Sequence, residues 1–297
     1  MLIAKIHTVK TQCTCSMKIL LTETNFDPET PIKLTQAGFE VFIPKQEIPN
    51  VHEFDRSALI QTIKNIQPDI LVTGFKFQID QEILDLAPIK VVFTRTTATD
   101  HITGKVEVIK LNGEELTDVV AVPELCLWAM LELVRRRGGQ ELDGKTLGLI
   151  GYGRISKILE RYALALGMKV LKYDTNFVET ENQSHAGLLE VVLKNSDIVS
   201  LHISSTEENR NFMDGDKFML MKNGSYFLNS SRGWLVKNIS LEWAFKKGKL
   251  AGAWTDFPVG FTAENLIQTP HIAGKTLESS IKTEKIICEK LIKWLPR

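Results

Sequence analysis

The sequence predicts an α/β protein of two doubly wound parallel-sheet domains, the second inserted into the first. Two observations carry this. From Met17 onward short apolar runs alternate with helical patterns. At mid-chain, Leu147-Gly148-Leu149-Ile150-Gly151-Tyr152-Gly153-Arg154-Ile155-Ser156 joins an apolar run to a glycine turn that opens a helix, leaving room for a complete domain ahead of it.

In the first domain, expected to be flavodoxin-like, strands are predicted at 18–22, 40–43, 70–72, 91–94 and 106–111, with helices at 29–37, 55–66 and 81–86. Gln67-Pro68-Asp69 and Ala87-Pro88 end helices, because the residue before proline is driven out of the α region. No glycine-rich phosphate loop occurs here. Residues 1–16 lack the long apolar core of a secretory signal and are expected to be a disordered extension. A linking helix is predicted over 123–137, with Pro123 at its start and Gly138-Gly139 beyond its end. Leu125, Leu127, Trp128, Met130, Leu131, Leu133 and Val134 wrap more of its circumference than one buried face requires, so a homodimer contact is expected there. Arg135, Arg136 and Arg137 suit the negative end of the helix dipole. The expected organisation is thus 1–16, an extension; 17–119 with 274–297, a substrate domain; and 120–273, a Rossmann domain.

The glycine turn has a physical reading. Gly151 allows the tight turn, Gly153 lets the backbone approach a pyrophosphate, and the N–H groups of Arg154 and Ile155 open a helix that favours an anion. Ser156 stands where a third glycine packs helix on strand, so the helix is expected slightly further from the sheet. A second strand ends at Asp174, about 20 residues past the turn, where an acid accepts hydrogen bonds from ribose hydroxyls. No arginine follows in Thr175-Asn176-Phe177, so NAD is expected over its 2′-phosphorylated form.

Composition excludes other classes. The 36 basic residues balance 36 acidic ones, which argues against nucleic-acid or membrane-surface partners. No apolar stretch approaches the roughly 20 residues of a membrane span. Four cysteines, Cys13, Cys15, Cys126 and Cys288, form neither a disulfide framework nor a repeated metal spacing, so a reducing cytoplasm is expected and no metal.

Later strands end at His202-Ile203-Ser204, Asn229-Ser230-Ser231-Arg232-Gly233, Asp256 and Thr269-Pro270-His271. In an open parallel sheet the ligand sits outside the carboxyl ends of the strands, so these polar endings converge. Tyr152, His202, Ser204, Ser230 and Asp256 join Gly151, Gly153, Arg154, Ile155 and Asp174 as candidate cofactor contacts.

From Met17 the chain resembles the D-isomer-specific 2-hydroxyacid dehydrogenases, which include D-3-phosphoglycerate dehydrogenases, hydroxypyruvate reductases and D-lactate dehydrogenases. The resemblance rests on Asp143-Gly144-Lys145-Thr146-Leu147-Gly148, Asp197-Ile198-Val199-Ser200-Leu201-His202, Met221-Lys222-Asn223-Gly224, Asn229-Ser230-Ser231-Arg232-Gly233, Leu250-Ala251-Gly252-Ala253 and Thr269-Pro270-His271-Ile272-Ala273-Gly274. In the first domain, Thr94-Arg95-Thr96-Thr97-Ala98-Thr99-Asp100-His101-Ile102 resembles the family's substrate loop.

The resemblance implies interconversion of a small 2-hydroxy acid and its 2-oxo acid with NAD. Arg232 would hold the substrate carboxylate, as a planar and always charged fork. His271 would exchange a proton with the C2 oxygen. It also implies that Asp256 fixes the nicotinamide carboxamide and that Thr97 and Ala98 offer N–H groups to the carboxylate.

Two departures stand out. The family's histidine partner, a glutamate five residues after the aspartate, is replaced by Phe261, and Asp256-Phe257-Pro258-Val259-Gly260-Phe261 has no further carboxylate. A histidine without an adjacent anion loses support for its protonated form, which predicts slowed turnover, or an NAD-binding scaffold that does not turn over. Glu264 is the nearest substitute in sequence. Residues 103–122 also depart from the family's connection, so substrate identity does not carry over. Lys76 is a candidate for an anionic substituent, with a solvated lysine as the simpler reading.

Overall fold

A computed structural model describes residues 7–8, 16–23, 27–44, 55–177 and 185–294. The chain forms two compact units, Met1–Leu116 with Leu277–Arg297, and Thr117–Thr276.

The first unit contains β1 (His7–Thr8), β2 (Lys18–Leu21), α1 (Thr30–Gln36), β3 (Glu40–Ile43), α2 (Arg56–Ile66), β4 (Ile70–Thr73), α3 (Gln81–Leu84), β5 (Val91–Thr94) and β6 (Glu107–Lys110). Its sheet runs β1-β3-β2-β4-β5-β6. All pairs are parallel except β1 with β3. Without β1 this is the doubly wound order 2-1-3-4-5. Helix ends follow local chemistry. Asp55 accepts from the Ala58 N–H to start α2, Asp80 accepts from the Ile83 N–H to start α3, and Gln67 closes α2 in the left-handed region just before Pro68.

Within the stretch expected as an extension, two residues form a strand. His7 and Thr8 pair antiparallel with Ile43 and Phe42, covering polar groups that β3 would otherwise present as a sheet edge. Cys13 and Cys15 lie outside the described residues. The last helix, α9 (Leu277–Trp294), returns to this unit. Trp294 meets Phe93 edge-on at 5.9 Å, and the Lys290 ammonium donates to the Lys110 carbonyl.

The second unit begins with α4 (Ala121–Met130), which continues through Leu131–Arg137 with π-helical spacing. The Gly138 N–H reaches back five residues to the Leu133 carbonyl. A single α-helix was expected. The chain widens where Gly138 packs so closely that a Cβ would lie 2.3 Å from the Tyr226 hydroxyl. Arg136 and Arg137 both pair with Glu132, and Arg135 pairs with Glu141 beyond the helix.

There follow β7 (Thr146–Ile150), α5 (Arg154–Ala165), β8 (Lys169–Tyr173), α6 (His185–Asn195), β9 (Ile198–Leu201), α7 (Gly215–Leu220), β10 (Ser225–Asn229), α8 (Asn238–Lys246), β11 (Leu250–Thr255) and β12 (Leu266–Gln268). The sheet is wholly parallel, in the order β12-β11-β10-β9-β7-β8. The order reverses between β7 and β9, which makes that crevice the topological switch point. Leu147, Leu149, Leu228 and the fully buried Trp254 face α4 and α5 on one side, while Phe227 meets Phe218 edge-on at 5.3 Å on the other.

Replacing Phe227, which has no exposed surface, with alanine is expected to cost about 3–5 kcal/mol, read from chemical denaturation of the purified protein.

Candidate active site

The strand ends of the second unit finish side by side. Tyr173 pairs with Ile150, Ile150 with Leu201, Leu201 with Asn229, Asn229 with Thr255, and Thr255 with Gln268. The residues that follow, Asp174, Gly151, His202, Ser230, Asp256 and Thr269, therefore form one row along a single edge.

At the switch point, Gly151 has φ +87°, and a Cβ there would lie 2.6 Å from the His202 carbonyl oxygen. Only glycine fits. Gly153 caps α5 without a side-chain hydrogen bond, and a Cβ on it would meet nothing within 4 Å. The first N–H groups of α5 have no partner within the helix, which suits a phosphate. Ser156 is fully buried and its hydroxyl donates to the Gly151 carbonyl at 2.5 Å. The missing third glycine is therefore replaced by a latch from helix to turn. Ile155 is half-buried, and Arg154 turns its guanidinium to the Val119 carbonyl at 2.5 Å, so of Arg154 the backbone remains for a cofactor.

Asp174 accepts from the Tyr152 N–H at 2.6 Å and the Asn176 N–H at 2.8 Å. Its carboxylate is fixed on the turn before any ligand arrives. Ser204 is exposed, and its carbonyl accepts from Asn209.

His202 is held from both sides of its ring. Its Nε2 lies 2.8 Å from the Ser200 hydroxyl and its Nδ1 3.1 Å from that of Ser230, so both ring nitrogens are committed within the protein. Burial lowers its pKa from 6.5 to about 4 and keeps the imidazole neutral. Cys126 lies on the other side of Ser230, its thiol pushed up to about 12 by burial. Beside this network, the buried Asn229 accepts from the Ser231 N–H and donates to the Arg232 carbonyl. The Ser231 hydroxyl donates to the Leu201 carbonyl. These bonds set the turn that carries Arg232, whose guanidinium donates to the Ser231 carbonyl at 2.8 Å.

Asp256 departs from expectation. It has no exposed surface. One carboxylate oxygen accepts from the Thr269 hydroxyl and the Ile272 N–H, the other from the Ala273 N–H, at 2.6–2.9 Å. It anchors the His271 loop and presents nothing to a ligand in this conformation. The His271 N–H bonds to the Asp256 and Thr269 carbonyls, and the residue is held at φ +55°. That region is uncommon for a non-glycine residue.

Phe261 packs edge-on against Phe245 at 6.2 Å, within the apolar cluster. The ring against His271 is Phe257, at 4.7 Å. Glu264, the nearest carboxylate in sequence, accepts at its carbonyl from the Arg137 guanidinium at 3.0 Å. It borders a surface hollow with Leu250 and Ala251, at the opening of β11. Asp256 follows the other end of that strand, about 20 Å from Leu250 at 3.3 Å per residue.

In the first unit, the loop after β5 is ordered by buried hydroxyls. Thr96 lies 2.8 Å from the Thr94 hydroxyl and donates to the Ala98 carbonyl, while Thr94 is 3.2 Å from the His101 Nε2. Among the described residues, neither Thr97 nor Ala98 gives its N–H to a backbone carbonyl. Glu23, Arg95 and Gly74 meet nearby: Glu23 accepts from the Arg95 guanidinium and the Gly74 N–H, both at 2.6 Å. Lys76 is exposed, its ammonium 5.5 Å from the Phe77 ring centroid, in keeping with the solvated reading.

A wholly parallel sheet with a glycine turn and a carboxylate at its switch point is the arrangement of a dinucleotide-binding domain. Residues 128–273 match the family model described as the D-isomer specific 2-hydroxyacid dehydrogenase, NAD binding domain. A glyoxylate reductase of Thermofilum pendens is 30% identical over 278 residues, covering 80% of each chain. A glyoxylate reductase of Pyrococcus furiosus is 29% identical over 304 residues, covering 89% of each. Among solved structures, the NAD+-bound 3-phosphoglycerate dehydrogenase of Entamoeba histolytica superposes with a TM-score of 0.76 at 24% identity, over 94% of this chain and 95% of that one. The chain belongs to the D-isomer-specific 2-hydroxyacid dehydrogenase family and is an NAD-dependent oxidoreductase.

Gly151→Ala is expected to destabilise the protein by about 2 kcal/mol or more, through its positive φ and the His202 carbonyl, and to weaken NADH binding measured by fluorescence. His202 carries a pH signature. Because its folded pKa, about 4, lies below the ordinary 6.5, the unfolded chain binds the proton first and stability falls as pH drops from about 6.5 toward about 4. The difference in unfolding free energy between the native protein and His202→Gln should therefore shrink across that window. A constant difference contradicts a neutral, buried imidazole.

Proposed function

We propose that this chain interconverts a small D-2-hydroxy acid and its 2-oxo acid, with Arg232 as carboxylate anchor and His271 as acid/base. The observation that carries this reading is the shared edge of β10 and β12. Two strand spacings of about 4.8 Å put the Arg232 turn and the His271 loop about 10 Å apart, the span of a small acid between two side chains.

Gly151, Gly153 and the N–H groups of Arg154 and Ile155 would hold the pyrophosphate, and Asp174 the ribose. Held there, NAD would supply the hydride acceptor or donor for the substrate's C2. Arg232 holds and polarises the acid, and His271 takes or returns the proton on the C2 oxygen. Thr97 and Ala98 of the first unit are assigned as N–H donors to the carboxylate. Tyr152, His202, Ser204 and Ser230 shape the cofactor surface, His202 and Ser230 from behind it. Asp256 acts through the loop it holds.

The relatives named glyoxylate reductase make glyoxylate the first substrate to try. Trp128 and Leu131, 40% and 41% exposed, support a homodimer through the helix at 123–137. No described helix is long and apolar enough to cross a membrane. A cytoplasmic location is proposed from the cysteine pattern. Phe257 against His271 and Phe261 turned to Phe245 support slow turnover, since neither ring can stabilise an imidazolium as a carboxylate does.

A panel of 2-oxo acids with NADH tests the proposal. His271→Ala is expected to lower kcat by about 100-fold or more, the usual worth of a positioned acid/base. Arg232→Ala should lower kcat/KM by about 100-fold, the loss of charge-assisted bonds to the carboxylate. If NADH binds and no acid is reduced above the His271→Ala background, the chain is an NAD-binding scaffold instead.

A further inference from the structure

The glycine turn carries a cluster that dinucleotide binding alone does not require. Tyr152, whose N–H is bonded to Asp174, directs its hydroxyl to Glu160 on α5. The Lys172 ammonium donates to the Tyr152 hydroxyl and to the other Glu160 oxygen, both at 3.1 Å, and lies 4.4 Å from the Tyr152 ring centroid. These bonds raise the lysine's pKa above its ordinary value, so the ammonium is charged. Lys172 is two residues before Asp174. Alternation along an extended strand puts both on the same face, with Cα atoms about 7 Å apart, within a lysine's reach.

We propose that Glu160 and Tyr152 form a lock that holds Lys172 away from the ribose acid and thereby helps set the choice of dinucleotide. This rests on Asp174 being the ribose acid. A 2′-phosphate on the adenosine ribose needs a cation at that position, because Asp174 repels it. The chain possesses such a cation two residues upstream. Glu160 neutralises it, and the Tyr152 hydroxyl fixes its direction. The site is therefore selective for NAD by Asp174 together with a restrained lysine, and releasing that lysine opens it to the phosphorylated cofactor. Lys157, 5.9 Å from the same ring centroid, is a second cation nearby, so the test isolates Lys172.

The experiment measures dissociation constants of NADH and NADPH by fluorescence titration, with 5′-AMP and adenosine 2′,5′-bisphosphate as half-cofactor probes. Glu160→Gln is expected to improve the NADPH affinity relative to NADH by about fivefold or more, and Tyr152→Phe to shift it in the same direction by less. Adding Lys172→Ala to Glu160→Gln should return the ratio to that of Lys172→Ala alone. An unchanged ratio in both single variants overturns the lock. An improvement that survives Lys172→Ala also overturns it, because it then comes from removing a negative charge rather than from freeing the lysine. Tyr152→Phe removes one hydroxyl and serves if Glu160→Gln does not fold. Failure of the native protein to bind NADH would refute the cofactor site itself, a result separate from an unchanged ratio.

Discussion

A carboxylate with no exposed surface organises the reactive edge of this protein. Burying Asp256 is costly unless its charge is met by donors, and three come from a single stretch, Thr269, Ile272 and Ala273. Its own N–H bonds the Asn229 carbonyl, at the end of the strand that leads to Arg232. One residue thus ties together the ends of β10, β11 and β12. The unusual backbone of His271 follows, because a loop pinned at three points and by its own N–H leaves that residue little choice of φ. Trp254 extends the same linkage into the core through its indole N–H bond to Thr269.

The switch point is built on a different economy. A neutral imidazole between two serine hydroxyls supplies polarity without a buried charge. The backbone at His202 in turn lies so close under Gly151 that no side chain fits at the turn. The glycine turn is consequently shaped from below by β9 and latched from the side by Ser156.

Much of the architecture was legible because apolar runs and proline breaks mark parallel strands and the helices between them. β3 and β5 fall on the expected residues, and the other first-domain strands differ by a residue or two at their ends. The pairing of His7 with Ile43 was not legible, since two residues of edge strand carry no period. The π-helical spacing of Leu131–Arg137 was hidden too, beside a glycine at which a Cβ would meet the Tyr226 hydroxyl. At the site, spacing identified which strand end each polar residue follows, though not the direction its side chain takes. His202 and Asp256 point into the protein, and Phe257, unremarked in the pattern, faces His271. The bonds of Tyr152 with Glu160 and Lys172 join a turn, a helix and a strand that no short motif spans.

The connection between Asp256 and Thr269 also bears on how this histidine can be re-equipped. Counting residues from Asp256 selects position 261 for a restored carboxylate, but that side chain packs on Phe245 at the edge of the apolar cluster. Position 257, whose ring already rests on the imidazole, is the one from which an acid can reach it. In this loop an acid for His271 would have to be grafted by location in space, onto the residue whose ring it already meets, and counting residues along the chain does not find that position.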